Sequence, residues 1–246
     1  MKGRGAFVSF VLLLTQITSV VIYGQSLPLD VATLLQKVDK KLSGKAIEIT
    51  YIEKGYWVKS KKPCAVPKEV KILWEPKGKF VCHQKSKEKE FLYIYDGKTF
   101  WIYRVDKKLY NSRPSKNYGE RLKGFFLRSL IPPSKAELKK MLNECEKEGI
   151  EARISLKQGE FKGKQVYIFS INIKGDEERR IASTQNIYWL DAKTYLPLFA
   201  QTIFDNDLYE YEFKKFLLNP PIPKNAFKFS PPKDAREVSR DEIFSL

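Results

Sequence analysis

Residues 91–103 read F-L-Y-I-Y-D-G-K-T-F-W-I-Y. Two runs of aromatic and β-branched residues flank Asp96-Gly97, a dipeptide that suits a tight hairpin turn because both positions tolerate positive φ. The stretch therefore predicts strands over 91–95 and 99–103. Working upstream, residues 80–84 form a further strand-like run behind a turn at Pro76, Lys77 and Gly78, and 70–74 another. Ile47, Ile49 and Tyr51 alternate with Glu48 and Thr50, the period-two signature of a half-buried strand. Gly55 and a proline-containing stretch over 59–68 read as a break and a loop. Downstream, 109–112 is a short strand, and further strands are expected near 150–157, 164–173, 185–190, 195–204 and 207–217. In the last, Tyr209, Tyr211 and Phe213 share one face and Glu210 and Glu212 the other.

Helical spacing appears in three places. Val31, Leu34, Leu35, Val38 and Leu42 form one apolar stripe behind Asp30. Leu122, Phe125, Phe126 and Leu130 form a second, stopped by Pro132-Pro133. Ser134 to Glu137 is a capping box, in which each side chain bonds the other residue's amide, and it opens a third helix that Gly149 ends. The fold class expected is mainly β with helices (α+β). About eleven antiparallel strands form one large sheet, and a sheet that wide curls. Its inner face is either a packed core or an apolar cavity, since the helices are a small plug for it.

The composition narrows the chemistry. Among 246 residues there is one histidine, His83, and three cysteines, which leaves little for a metal site or a His-based triad. No glycine-rich phosphate loop is present. The reading is of a protein that is not an enzyme and needs no cofactor or metal, with 13% aromatic residues pointing to binding. Cys64, Cys82 and Cys145 are odd in number, so one internal pair at most forms, with Cys64–Cys82 the candidate.

The first residues read as an address. Lys2 and Arg4 precede an uncharged run from Ala6 to Tyr23, and Gly24 is a small residue at a cleavage position. Residues 1–24 are thus expected to be a signal peptide and 25–246 a single exported domain, with the charged 233–246 a frayed tail. The formal net charge is +16, from 45 Lys and Arg against 29 Asp and Glu. In an exported protein that charge suits anionic headgroups, an acidic partner or a solvated surface rather than nucleic acid.

Several stretches in order resemble the periplasmic outer-membrane lipoprotein carrier family, LolA. Tyr95 to Tyr103, Y-D-G-K-T-F-W-I-Y, is similar to its S-D-G-K-T-L-W-x-Y hairpin. Ala32 to Leu42 resembles its opening helix, Pro76 to Phe80 its P-G-K-F turn, and Trp189 to Leu198 its D-P-K-T-x-L-P turn. Tyr211 to Phe213, Leu218 to Pro223 and Phe227 to Pro232 echo its closing run. The resemblance implies an incomplete β-barrel with helices as a lid over a hydrophobic cavity, performing no chemistry. It implies a monomeric periplasmic chaperone that takes acylated lipoproteins from an inner-membrane releasing ABC transporter complex toward an outer-membrane acceptor lipoprotein. A lipid- or lipoprotein-sensing module on the same scaffold is the alternative.

On that reading Ile47, Ile49, Tyr51, Trp101, Tyr103, Leu122, Phe125, Phe126, Tyr209, Tyr211 and Phe213 line the acyl-chain cavity. Phe100 and Ile102 are as apolar as Trp101 and Tyr103, so the inner face of that strand is open to either set. The resemblance makes Phe80, beside Lys77 and Lys79, the apolar anchor of a partner-docking turn, against the plainer reading of a core residue. Three departures stand out: Glu75 occupies the place of the family's lid-latching Arg, Cys82 falls near a Trp, and 59–68 is an insertion.

Overall fold

The computed structural model describes residues 18–21, 29–114, 126–176, 178 and 181–245. The elements in chain order are β1 (Thr18–Val21), α1 (Leu29–Leu42), β2 (Ile47–Trp57), β3 (Pro63–Trp74), β4 (Phe80–Lys85), β5 (Glu90–Tyr95), β6 (Thr99–Arg104) and β7 (Leu109–Pro114). There follow α2 (Lys135–Lys147), β8 (Ala152–Phe161), β9 (Lys164–Ile173), β10 (Thr184–Asp191), β11 (Pro197–Phe204), β12 (Asp207–Leu218), β13 (Arg236–Glu237) and α3 (Arg240–Phe244).

All thirteen strands belong to one sheet, in the order β1-β8-β9-β10-β11-β12-β2-β3-β4-β5-β6-β7-β13. It is two meanders of consecutive antiparallel hairpins, β2 to β7 and β8 to β12, joined where β12 lies along β2 from Asp207↔Trp57 to Leu218↔Ile47. The two outermost strands, β1 and β13, do not pair with each other, so the barrel is incomplete, as the resemblance implies.

The Asp96-Gly97 hairpin forms as its sequence demands. Gly97 sits at φ 98°, and Asp96 Oδ1 accepts from the amides of Lys98 and Thr99, each at 2.7 Å. The capping box is present too: Ser134 Oγ accepts from the Glu137 amide and Glu137 Oε2 from the Ser134 amide.

The core lies on one face of the sheet. Ile47, Ile49 and Tyr51 of β2 adjoin Trp74, Ile72 and Val70 of β3, which adjoin Phe80, Cys82 and Gln84 of β4. The row continues to Tyr95, Tyr93 and Phe91 of β5 and to Phe100, Ile102 and Arg104 of β6. On the other meander Ile154, Phe169, Ile171, Tyr188, Leu190 and Ala200 are buried on the same face. Val31, Leu34, Leu35 and Val38 of α1 and Leu138, Leu142 and Cys145 of α2 are buried in the same core, so each apolar stripe is satisfied by the sheet it covers.

Three expectations change. Most of 59–68 is strand, not loop: β2 runs on to Trp57 and β3 begins at Pro63. The strands close up at Gly55, where a Cβ would stand 3.0 Å from Ala65 Cβ and from Cys64 Sγ, so the glycine is a close approach rather than a break. The tail does not fray either. Arg236–Glu237 pairs parallel with β7, and Val238 and the fully buried Ile243 join the core. The buried Arg104 donates to the carbonyls of Ile243 and Ser245 and pairs with Asp106, supplying donors to the end of α3. Finally, all three cysteines are free. Cys82 pairs with Ile72, eight residues along β3 from Cys64, roughly 26 Å at strand rise, so no bridge between them is possible.

Candidate functional site

The inner face of the sheet is a continuous apolar surface with a cover over part of it. The cover is the described end of the middle segment, residues 126–131, a short helical turn closed by the Leu130 and Ile131 amides on the Leu127 carbonyl. Phe126, Leu127, Leu130 and Ile131 are all buried in it. Phe126 stands 5.3 Å from Phe80 and 5.5 Å from Tyr93, ring centre to ring centre, and so fills the space above β4 and β5.

Two phenols of the sheet hold this cover. Tyr188 Oη donates to the Arg128 carbonyl at 2.7 Å, and the Tyr211 hydroxyl lies against the side chains of Ser129 and Thr202, which offset part of the effect of its burial. Thr202 Oγ1 in turn donates to Asn186 Oδ1 at 2.9 Å, so a polar thread crosses β12, β11 and β10 beneath the cover. Burial pushes the Tyr211 phenol up to about 12 and raises Tyr188 and Tyr51 as well, so all three stay neutral and able to donate. The apolar rows end at a Glu53–Lys68 ion pair of 2.9 Å.

Most of the residues expected at the cavity do gather here. Ile47, Ile49, Tyr51, Tyr209, Tyr211 and Phe213 share the inner face, with Tyr51 5.7 Å from Tyr211 and 6.1 Å from Phe213. Leu122 and Phe125 lie outside the described residues. Trp101 and Tyr103 are a correction. They point to the opposite face, where each packs on Phe229 of the tail at 5.5 and 5.4 Å. Phe100 and Ile102 take the inner positions. The physical reason is that the tail gives β6 an apolar partner on its outer side as well, so alternation carries no direction there.

The expected docking turn is also corrected at its centre. Phe80 is 0% exposed, stacked between Trp74 at 5.8 Å and Phe100 at 6.1 Å, and is a core residue. Lys77 is exposed, while Lys79 lies 3.4 Å from Glu75 Oε1. That contact has ion-pair distance without hydrogen-bond geometry, since Glu75 Oε1 is buried and accepts no hydrogen bond. Glu75 thus interacts within its own turn, and the cover is held by Tyr188 and Tyr211 instead. Sequence reading missed both as latches because a tyrosine in an apolar row carries no sign of what its hydroxyl meets. Among the described residues there is no group of His, Cys, Asp and Glu arranged to hold a metal ion.

No family model matches the chain, and no curated protein matches it. Solved structures do. A conserved protein from Thermus thermophilus aligns at TM-score 0.49 and 11% identity, covering 86% of this chain and 99% of that one. Lipoprotein LppX from Mycobacterium tuberculosis aligns at TM-score 0.45 and 9% identity, over 79% and 97%. A LolA superfamily protein from Nitrosomonas europaea aligns at TM-score 0.44 and 9% identity, over 80% and 96%.

Proposed function

We propose that the protein is a non-enzymatic carrier of the cell envelope that binds the acyl chains of lipoproteins against the inner face of its sheet. The observation that carries this reading is the covered apolar face: Phe126, Leu127, Leu130 and Ile131 lie on it as a short segment whose polar attachments to the sheet include two tyrosine hydroxyls. An acyl chain offers the same apolar contact as those side chains, at about 0.8 kcal/mol per buried CH₂. Exchange of one for the other is therefore near balance, which suits a carrier that must both load and release.

In this reading the face around Ile47, Ile49, Tyr51, Tyr209, Tyr211 and Phe213 receives the chains. The cargo comes from an inner-membrane releasing ABC transporter complex and goes toward an outer-membrane acceptor, with the protein working as a periplasmic monomer. Export with removal of residues 1–24 strips β1 from β8 and leaves β8 as the edge of the sheet. Among the described residues no helix is long and apolar enough to cross a membrane.

Native mass spectrometry of the protein recovered from its own envelope tests the reading. Mass increments matching acylated lipopeptide or lipoprotein are expected, and their loss on Tyr209→Asp, at a half-buried position of the same face, with the fold retained. A ligand-free protein in cells making lipoproteins overturns it.

A further inference from the structure

Six large apolar side chains stand more than a third exposed among the described residues, and four of them belong to one place. Trp57 (49%), Val58 (36%) and Val66 (40%) lie on the β2–β3 hairpin, and Phe204 (49%) on the neighbouring β11–β12 turn. The two turns are joined. The Val58 amide donates to the Asn206 carbonyl at 2.7 Å, and Asp207 pairs with both Phe204 and Trp57, which puts the two aromatic residues in one row across three strands.

On one side of this tip the β2–β3 arm projects past its neighbour, while on the other β10 keeps pace with β11 to Thr184↔Phe204. β4 reaches only as far as Glu69↔Lys85, so the first six residues of β3 run on past it, roughly 20 Å at strand rise. The turns are tight and defined. The Trp57 amide donates to the Lys62 carbonyl and the Lys61 amide to the Trp57 carbonyl, and Lys61 and Asp205 sit at φ 53° and 51°. Lys59, Lys61 and Lys62 are exposed around the apolar group, and no ion pair among the described residues involves them. Of the acids in the second turn, Asp205 Oδ1 is turned onto the Ser183 amide at 3.0 Å.

We propose that this tip docks the protein on an anionic bilayer, with Trp57 and Phe204 seated among the headgroups and Lys59, Lys61 and Lys62 on the phosphates. Tryptophan favours the membrane interface, where its amphipathic ring is half wet and half apolar, and phenylalanine adds apolar area that seats at the headgroup–acyl boundary. Clustered lysines add attraction to an anionic surface. The chemistry favours a lipid surface over a second β-sheet. The free edge of the projecting arm carries Pro63 and Pro67, which lack the amide a pairing strand needs. Trp57 lies on the strand that carries Ile47, Ile49 and Tyr51, so docking sets one end of the inner face against the bilayer. The proposal stands on the tip alone and needs no bound cargo.

Flotation of the protein recovered from expressing cells, with phosphatidylglycerol-containing vesicles or with neutral phosphatidylcholine vesicles and no lipoprotein present, tests it. Binding to the anionic vesicles that weakens with salt is expected. Trp57→Ser with Phe204→Ser should lower it about tenfold or more, and Lys59→Glu, Lys61→Glu and Lys62→Glu together should remove the preference for anionic vesicles. These residues are exposed, so circular dichroism should be unchanged. Amide exchange should slow at 57–62 and 204–207 on vesicle addition. Equal binding by the Ser double variant, or binding without protection at those residues, overturns the proposal. So does self-association in sedimentation that needs Trp57 and Phe204 while vesicles are ignored, which assigns the tip to a protein partner.

Discussion

The Tyr188 phenol reaches across the inner face and donates to the backbone carbonyl of Arg128 at 2.7 Å. A sheet residue thereby holds the main chain of the cover, whatever side chains the cover carries. Tyr188→Phe removes this bond alone and should cost about 1 kcal/mol of stability. Amide exchange over 128–131 should speed up while β9 and β10 keep their protection. Unchanged exchange means that packing of Phe126, Leu127 and Leu130 is sufficient.

Phe80 is central to the same contact. Truncation to Ala removes ring contacts with Trp74, Phe100 and Phe126 and should cost about 3–5 kcal/mol. Phe80→Glu places a charge in that core and should prevent folding, rather than leave a folded protein unable to transfer cargo. A well-folded Phe80→Glu protein by circular dichroism contradicts the packing described.

Thiol reactivity separates the cysteines. Burial pushes the Cys82 thiol up to about 12 and raises Cys145, and both lie in the core, whereas Cys64 is half-buried near the projecting tip. Iodoacetamide at pH 8 should therefore label Cys64 in the native protein and all three after denaturation, read by mass spectrometry. Early labelling of Cys82 indicates that β3 and β4 separate.

Acid stability has a named contributor. Hydrogen bonds from Lys162 and Lys214 hold the Glu212 carboxyl at about 2, below its ordinary 4.5. Its contribution to folding is complete above pH 4.5 and lost as pH falls from there toward 2. Glu212→Gln should lower the melting temperature near neutral pH and make the loss between pH 4.5 and 2 less steep. Parallel acid-melting curves for the two proteins rule this out.

The parts of the fold legible in the sequence are those fixed by local chemistry. Asp96-Gly97, the Ser134–Glu137 box and the alternation of Tyr209, Tyr211 and Phe213 each specify their own geometry. What was not legible depended on distant partners. Pro63 and Pro67 read as loop because nothing local says that the edge they sit on is unpaired and tolerates them. Residues 233–246 read as frayed because two apolar residues, Val238 and Ile243, dock them against a buried arginine far earlier in the chain. At β6 the choice between Phe100 and Trp101 was settled by Phe229, more than a hundred residues away. The candidate site was legible as an apolar face and illegible as a latched one.

The seam between β2 and β12 has a consequence for biogenesis. Ile47 of the first long strand finds its neighbour Leu218 only after nearly all of the chain has been made. Until then β2 has one edge zipped to β3 and the other bare, with an apolar row beside it, and closing so long a loop is slow. The nascent chain therefore keeps this seam open through most of its synthesis. In the export proposed above that lateness is useful, because a sheet not yet closed is more easily kept threadable. It also makes the open β2 edge the place where holding chaperones, or aggregation, compete with the last strand to arrive.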